Sequence, residues 1–272
     1  MRIALFVAAA MLLSSCSNGA SSAPKTEPTP VLSSPTATHT HRVKPPPPPP
    51  PPPLHACYRL SFDAALAPTN GNSPVPCTGT HTAVTFYVGS YPRTMPVDGA
   101  HLHRLVSTVC PRRFAPFVGG ALENRRLSLL RAIWFTPTVA QSTAGAHWFR
   151  CEAISIRDNN SLLRLKVPVA GALDRTDGRS YYGLCGNAEP GTSGFEQRAC
   201  GIAHSWRALR TVPFSPGHYP GEAKVRAAGQ SICKDAARAV ASNPLDYQWS
   251  YQWPSPQQWR DGQTYGLCWA PG

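Results

Sequence analysis

Two cysteine intervals of equal length constrain this chain more than any other feature. Cys77 and Cys110 lie 33 residues apart, and so do Cys200 and Cys233. The same landmarks recur around them in the same order. A His follows each leading Cys, as Cys77-Thr-Gly-Thr-His81 and Cys200-Gly-Ile-Ala-His204. A Tyr-Pro pair comes next, Tyr91-Pro92 and Tyr219-Pro220. The closing stretches align without a gap: Trp134, Pro137, Gln141, Gly145 and Trp148 precede Cys151 at the offsets at which Tyr251, Pro254, Gln258, Gly262 and Tyr265 precede Cys268. A repeat of this kind means one supersecondary unit built twice. The expected layout is one module over 55–156, a connector over 157–179 and a second module over 180–272.

The cysteine count carries the next step. The chain has nine Cys. Setting Cys16 aside leaves Cys57, Cys77, Cys110, Cys151, Cys185, Cys200, Cys233 and Cys268, four per module. An even set in an exported chain reads as a disulfide framework, with about a hundred pairings open in principle. The repeat favours bridges that close within a module, first to second and third to fourth. That joins Cys57 to Cys77, Cys110 to Cys151, Cys185 to Cys200 and Cys233 to Cys268. Each bridge contributes roughly 2–4 kcal/mol, which matters because a core this small is marginal alone.

Export is read from the N-terminus. Met1-Arg2 is followed by an apolar run from Ile3 to Leu13, then by Leu13-Ser14-Ser15-Cys16. The run is too short for a permanent span, which takes about 20 residues, and suits a cleaved signal over 1–15. Leu-Ser-Ser-Cys has the form of a lipobox, with Cys16 the lipidated new N-terminus. Two or more acyl chains there would anchor stably to the extracytoplasmic face of the membrane. Residues 16–54 are Ser, Thr, Ala and Pro-rich, too poor in apolar groups to offset ordering entropy. They read as a disordered stalk that ends in Pro45–Pro53, a polyproline II spacer. His39 and His41 on that stalk make a poor metal site.

Within each module the pattern is α+β. Thr82–Val88 and Ser205–Val212 are expected strands, as are Ala132–Thr136 and Trp148–Ile156. Val225, Gly229, Ile232, Ala236 and Val240 mark one face of a continuous helix within 221–242, with Cys233 beside it. Leu102, Leu105, Val106 and Val109 repeat that face toward Cys110, and Pro111 is expected to break the helix there. The fold class is therefore α+β: two tandem copies of a small disulfide-braced module, one helix packed on a short antiparallel sheet.

The landmarks resemble those of the septum-formation domain family of actinobacterial, mycobacterial-type envelope lipoproteins. Pro76-Cys77, His81, Tyr91-Pro92, Cys110, Trp134, Pro137 and Cys151 carry the match. In the second module Ala199 stands before Cys200 and Tyr251 replaces the first Trp, with Trp253-Pro254 and Trp259 nearby. The resemblance implies a link to septum formation and cell division, and it brings no reaction with it.

The candidate binding residues are His81, Trp134, Gln141, Trp148, His204, Trp253, Gln258 and Trp259. Aromatic faces beside amide side chains suit sugars or peptides, and the competing reading makes them core and loop bracing. His81 and His204 sit in Cys-x-x-x-His steps, but bridged cysteines would supply neither a thiolate nodule for zinc nor a nucleophile. A turn-bracing role is the simpler one. There is no G-x-S-x-G, H-E-x-x-H or Walker loop, and no acidic pair recurs across the repeat. The expectation is a non-enzymatic envelope lipoprotein that binds cell-wall polymer or division proteins, without cofactor or metal. The alternative is an enzyme acting on wall polymers with His81 or His204 as acid/base. The formal charge of +12 suits anionic partners such as lipid headgroups or acidic polymers. Nucleic acid is not expected outside the membrane, and the oligomeric state stays open.

Overall fold

The structure is a computed structural model that describes residues 47–272. The export signal, Cys16 and the stalk up to residue 46 lie outside the described residues. Residues 47–272 lie within one compact unit. Among the described residues no helix is long and apolar enough to cross a membrane.

The first half opens with β1 (Cys57–Tyr58), α1 (Phe62–Leu66) and β2 (Ala83–Ser90), followed by the long α2 (Ala100–Val118) and the short α3 (Leu122–Arg126). Then come β3 (Leu130–Phe135), α4 (Val139–Thr143), β4 (Trp148–Asp158) and β5 (Ser161–Leu162). These strands make an antiparallel sheet in the order β1-β2-β4-β3, with β5 added on β4. The second half runs α5 (Thr176–Tyr182), β6 (Leu184–Gly186), β7 (Gln197–Ala199), β8 (Trp206–Pro213), α6 (Glu222–Ala228), α7 (Gln230–Val240), β9 (Ser250–Gln252), α8 (Pro256–Arg260) and β10 (Tyr265–Pro271). Its sheet is ordered β7-β6-β8-β10-β9 and is also antiparallel.

The fold is thus α+β with two antiparallel sheets and four disulfides. The bridges join Cys57 to Cys77, Cys110 to Cys151, Cys185 to Cys200 and Cys233 to Cys268. The longer-range bridge of each half ties α2 to β4 and α7 to β10. Register agrees between the sheets down to single residues. Cys151 pairs with Tyr87 and Glu152 with Thr85, so Phe86 is an extra residue. Cys268 pairs with Arg210 and Trp269 with Ala208, so Leu209 is the extra one. Each bulge bends its strand beside the helix-clamping bridge.

The helices depart from expectation. α2 runs unbroken through Pro111 and Pro116, where Pro111 is the expected break. Both prolines face solvent, whereas Leu102, Val106, Cys110 and Val118 are buried. Packing on that buried face and the Cys110 bridge offset the lost backbone bonds, which cost about 3 kcal/mol or more per interior proline. The matching helix of the second half contains no proline, yet it stops at Gly229, between α6 and α7. The Tyr251 hydroxyl donates to the Val225 carbonyl at 2.9 Å, the acceptor that a continuous helix would offer to the Gly229 N–H. A Cβ on Gly229 would lie 2.2 Å from the Tyr251 ring, so only glycine fits beneath it.

The stretch 157–179, expected as a connector, is built into the interior. Leu163, Leu165, Val169, Ala172 and Leu173 join a core that also holds Phe86, Val106 and Phe149 of the first half and Trp206, Leu267 and Trp269 of the second. Leu129 N–H donates to Tyr182 O and Leu184 N–H to Leu127 O, both at 2.8 Å, around an antiparallel bridge between Ser128 and Gly183. The two sheets therefore share one core and a short backbone seam.

Candidate binding site

β1 pairs with β2 at Ala83 and Val84, His55 and Ala56 extend the pairing to Thr85, and β2 from Tyr87 onward presents an open edge on that side. The chain's own prolines lie along it. Pro48–Pro51 form one wall of a groove of about 490 Å³, and Tyr87–Ser90 with Gly145–Trp148 form the other. Pro49 and Pro52 are the more buried members of the run, a three-residue period that suits polyproline II. Proline has no N–H, so the segment covers the edge without extending the ladder. The Gly145 turn has φ +96° and a Cβ there would meet Pro48 at 3.3 Å. Trp148 is 9 % exposed, and its indole N–H is buried without a partner among the described residues. Buried donors are nearly always paired, and this one is an exception.

The second half covers the corresponding edge differently. β6 meets β8 only at Trp206 and Arg207. Beyond them, Glu123 Oε1 from α3 accepts from the Thr211 N–H at 2.9 Å and the Thr211 hydroxyl at 3.2 Å. The Arg126 guanidinium lies 4.4 Å from the ring centre of Tyr265, the counterpart of Trp148. One edge thus carries the proline segment and the other a helix from the opposite half.

The two histidines brace turns. His81 Nδ1–H donates to Gly79 O at 2.9 Å, and His204 Nδ1–H donates to Ile202 O at 2.8 Å. Cys185, Cys200 and His204 bring ligand atoms within 4.8 Å of one another, but the two sulfurs are bonded together and are not thiolates. Gln141 and Gln258 close matching capping boxes, with Thr138 and Ser255 at the helix starts. Their side-chain oxygens accept from Thr138 N–H at 2.9 Å and Ser255 N–H at 2.8 Å. Trp259 is buried among Phe214 and Tyr219 and donates to Gly217 O at 2.7 Å. Trp134 meets the edge of His103 on α2. Trp253 sits against Tyr251 and under Arg226. Of the eight candidates, Trp148 lines the proline groove and His81 lines a separate cavity beside the Cys57–Cys77 bridge.

A family model described as septum formation matches residues 91–268. The chain belongs to the septum-formation family. The match runs in one piece from Tyr91 through both sheets to Cys268, so it does not itself divide the chain into copies. Neither the curated proteins nor the solved structures contain a match. Membership makes this a division-related domain of unknown molecular function. In septum-formation terms the match spans the bridges Cys110–Cys151, Cys185–Cys200 and Cys233–Cys268, but starts after Cys57 and Cys77.

One buried group escaped the sequence reading. Arg150 and Glu152, on the face of β4 opposite Cys151, are 2 % and 0 % exposed. Arg150 Nε lies 2.9 Å from Glu152 Oε1, at an angle that makes an ion-pair contact and not a hydrogen bond. The guanidinium is held between the Tyr58 and Phe135 rings, at 4.1 and 5.0 Å. Burial pushes the Glu152 carboxyl up to about 7, against the opposing pull of Arg150. The signal was present as two opposite charges two residues apart, Arg150 and Glu152, within the otherwise apolar run Trp148–Ile154.

Proposed function

We propose that this chain is a lipid-anchored, non-enzymatic envelope protein that binds or scaffolds division proteins or wall polymer during septum formation, built from two tandem copies of one module. The observation that carries the binding reading is the groove lined by Tyr87 and Trp148 along the stretch of β2 edge that β1 leaves open. Aromatic grooves of this kind take extended and proline-rich chains, and the segment already beside it is such a chain. The reading as copies is supported by equal strand orders, equally placed bulges, matching bridges and paired capping boxes. Anchorage rests on the lipobox at Cys16.

Crosslinking and capture from dividing cells tests the binding reading. The full chain should enrich an envelope protein or wall polymer over a stalk-only control, and Trp148→Phe should lower that enrichment while the unfolding midpoint stays put. Equal capture by the stalk alone would sink it. Replacing both His81 and His204 by Gln should leave function intact wherever the fold survives. A loss of wall-polymer turnover in a folded double variant would point to the enzyme instead.

A further inference from the structure

A second cavity, of about 410 Å³, opens beside the Cys57–Cys77 bridge. Its lining is mainly apolar: Val84, Phe117, Val167, Pro168 and Val169, with His55 and His81 at the rim. A polar recess shares Cys77, His81, Leu165 and Lys166 with it and adds Arg164 and Thr80. Along this wall Leu163 and Leu165 point into the core and Arg164 and Lys166 are exposed. Neither cation enters an ion pair among the described residues; Arg164 bonds the Thr80 hydroxyl at 2.6 Å.

The wall is fixed by bonds from behind. Arg175 donates to Pro168 O at 2.7 Å and to Ala170 O at 2.9 Å. The Tyr182 hydroxyl donates to Val167 O, and Tyr181 to Arg164 O at 3.0 Å. Leu165 N–H donates to His81 O at 3.0 Å, and Gly171 N–H to Phe117 O at 2.7 Å. At the rim His55 holds φ +63°, a left-handed conformation that costs about 1–2 kcal/mol in a residue with a Cβ and tends to occur at functional sites. A rigid apolar cavity at the small end of the usual ligand range therefore adjoins a recess that carries two cations without a carboxylate partner, Lys166 shared by both and Arg164 in the recess.

We infer that this cavity takes up, one molecule at a time, a single-chain amphiphile with an anionic head. The chain lies on Val84, Phe117, Val167 and Val169, and the head is held by charge-assisted hydrogen bonds from Arg164 and Lys166. This site is distinct from the proline groove and does not depend on it.

The test uses the full-length chain carrying Cys16→Ser, exported so that its bridges form and no anchor competes. Dodecyl phosphate, kept below its micelle concentration, is titrated calorimetrically. The expected result is saturable uptake of one molecule per chain, weakened about tenfold in the Arg164→Gln/Lys166→Gln double variant, in keeping with the loss of two charged donors. Ala170→Trp, which fills the cavity from its exposed rim, should abolish uptake with near-ultraviolet circular dichroism unchanged. Inorganic phosphate alone should not bind, and dodecyl maltoside should bind more weakly than the phosphate. Unsaturable binding, uptake unaffected by the filling variant, or binding only to anionic phospholipid vesicles or to an acidic peptide would each overturn the inference.

Discussion

The two sheets place opposite chemistry at matching positions. Arg150 and Glu152 flank Cys151 on β4; Leu267 and Trp269 flank Cys268 on β10. Around the first pair stand Tyr58, Phe135 and the buried Thr85. At the corresponding places around the second stand Gly186, Gln252 and Ala208, with the Phe195 ring packed edge-on against Trp269 at 5.5 Å. The same backbone thus closes over an ion pair in one half and over a Trp in the other. The bridges and bulges, not the flanking chemistry, are what the two halves hold in common. The ion pair is then not required by the architecture, since β10 achieves the same register without it.

That comparison breaks most visibly if one charge is removed. At pH 8, Glu152→Leu should destabilise the fold by about 3–5 kcal/mol, because Arg150 is left buried and uncompensated. Adding Arg150→Leu, which gives β4 the apolar character of β10, should recover most of the loss or exceed the parent. Urea midpoints of the single and double variants decide it. A double variant no better than the single would mean that the first half needs its charges for structure.

The pair also gives the first half a pH dependence that Leu267 and Trp269, at the matching positions, cannot give the second. The folded Glu152 carboxyl titrates near 7, above the ordinary value near 4.3 of an unfolded glutamate. Between those values the folded chain holds a proton that the unfolded chain has released, so stability falls as pH rises. The contribution is fully present below about 4.3 and gone above about 7, on the order of 3–4 kcal/mol in all. Unfolding followed from pH 4 to 8 should show this decline, and Glu152→Gln should flatten it. A decline that persists in the glutamine variant would assign it to other groups.

What the sequence revealed follows from the same contrast. Bridges and strands were legible because they recur at fixed spacing, and repetition does not depend on what surrounds a residue. The course of the helices was not. Pro111 is a local breaker overruled by the burial of Val106 and Cys110 and by a covalent clamp, whereas Gly229 marks a break caused by Tyr251, remote in sequence. The 157–179 stretch looked like a connector because it has no counterpart in the repeat, yet that singularity lets it fill the space between the sheets. The proline groove and the amphiphile cavity draw on residues 48–51 with 145–148, and on 55, 81, 117 and 165–170. No spacing rule links such distant positions. The candidate residues were chosen for their chemistry, and for Gln141, Gln258 and Trp259 much of that chemistry turns inward to caps and core.

The helix break offers the next sharpening. Gly229→Ala should cost about 1–3 kcal/mol, the usual penalty for forcing atoms into a packed interior, because the Tyr251 ring must move. Tyr251→Phe removes one buried hydrogen bond, costs about 1 kcal/mol, and frees Val225 O to accept from Gly229. Amide exchange should then show new protection at Gly229 as α6 and α7 join, giving the second half the continuous helix of the first. Unchanged exchange would mean that glycine itself, and not the tyrosine, stops the helix.

The smallest expected effect tests where the halves should agree. Gln141→Ala and Gln258→Ala each remove the side chain that accepts from a helix-start N–H, while Thr138 and Ser255 keep their own caps. Each loss should cost about 0.5 kcal/mol, the low end for a cap contact, and the two costs should match within error because the boxes have the same geometry. The substitutions differ in what lies nearby. Gln141 O accepts from Ala146 N–H, in the turn that lines the proline groove, whereas Gln258 O accepts from Gln263 N–H in the turn beside Tyr265, whose ring Arg126 covers. Equal stability costs with a fall in partner capture only for Gln141→Ala would separate a shared structural device from a binding edge that only the first half leaves open.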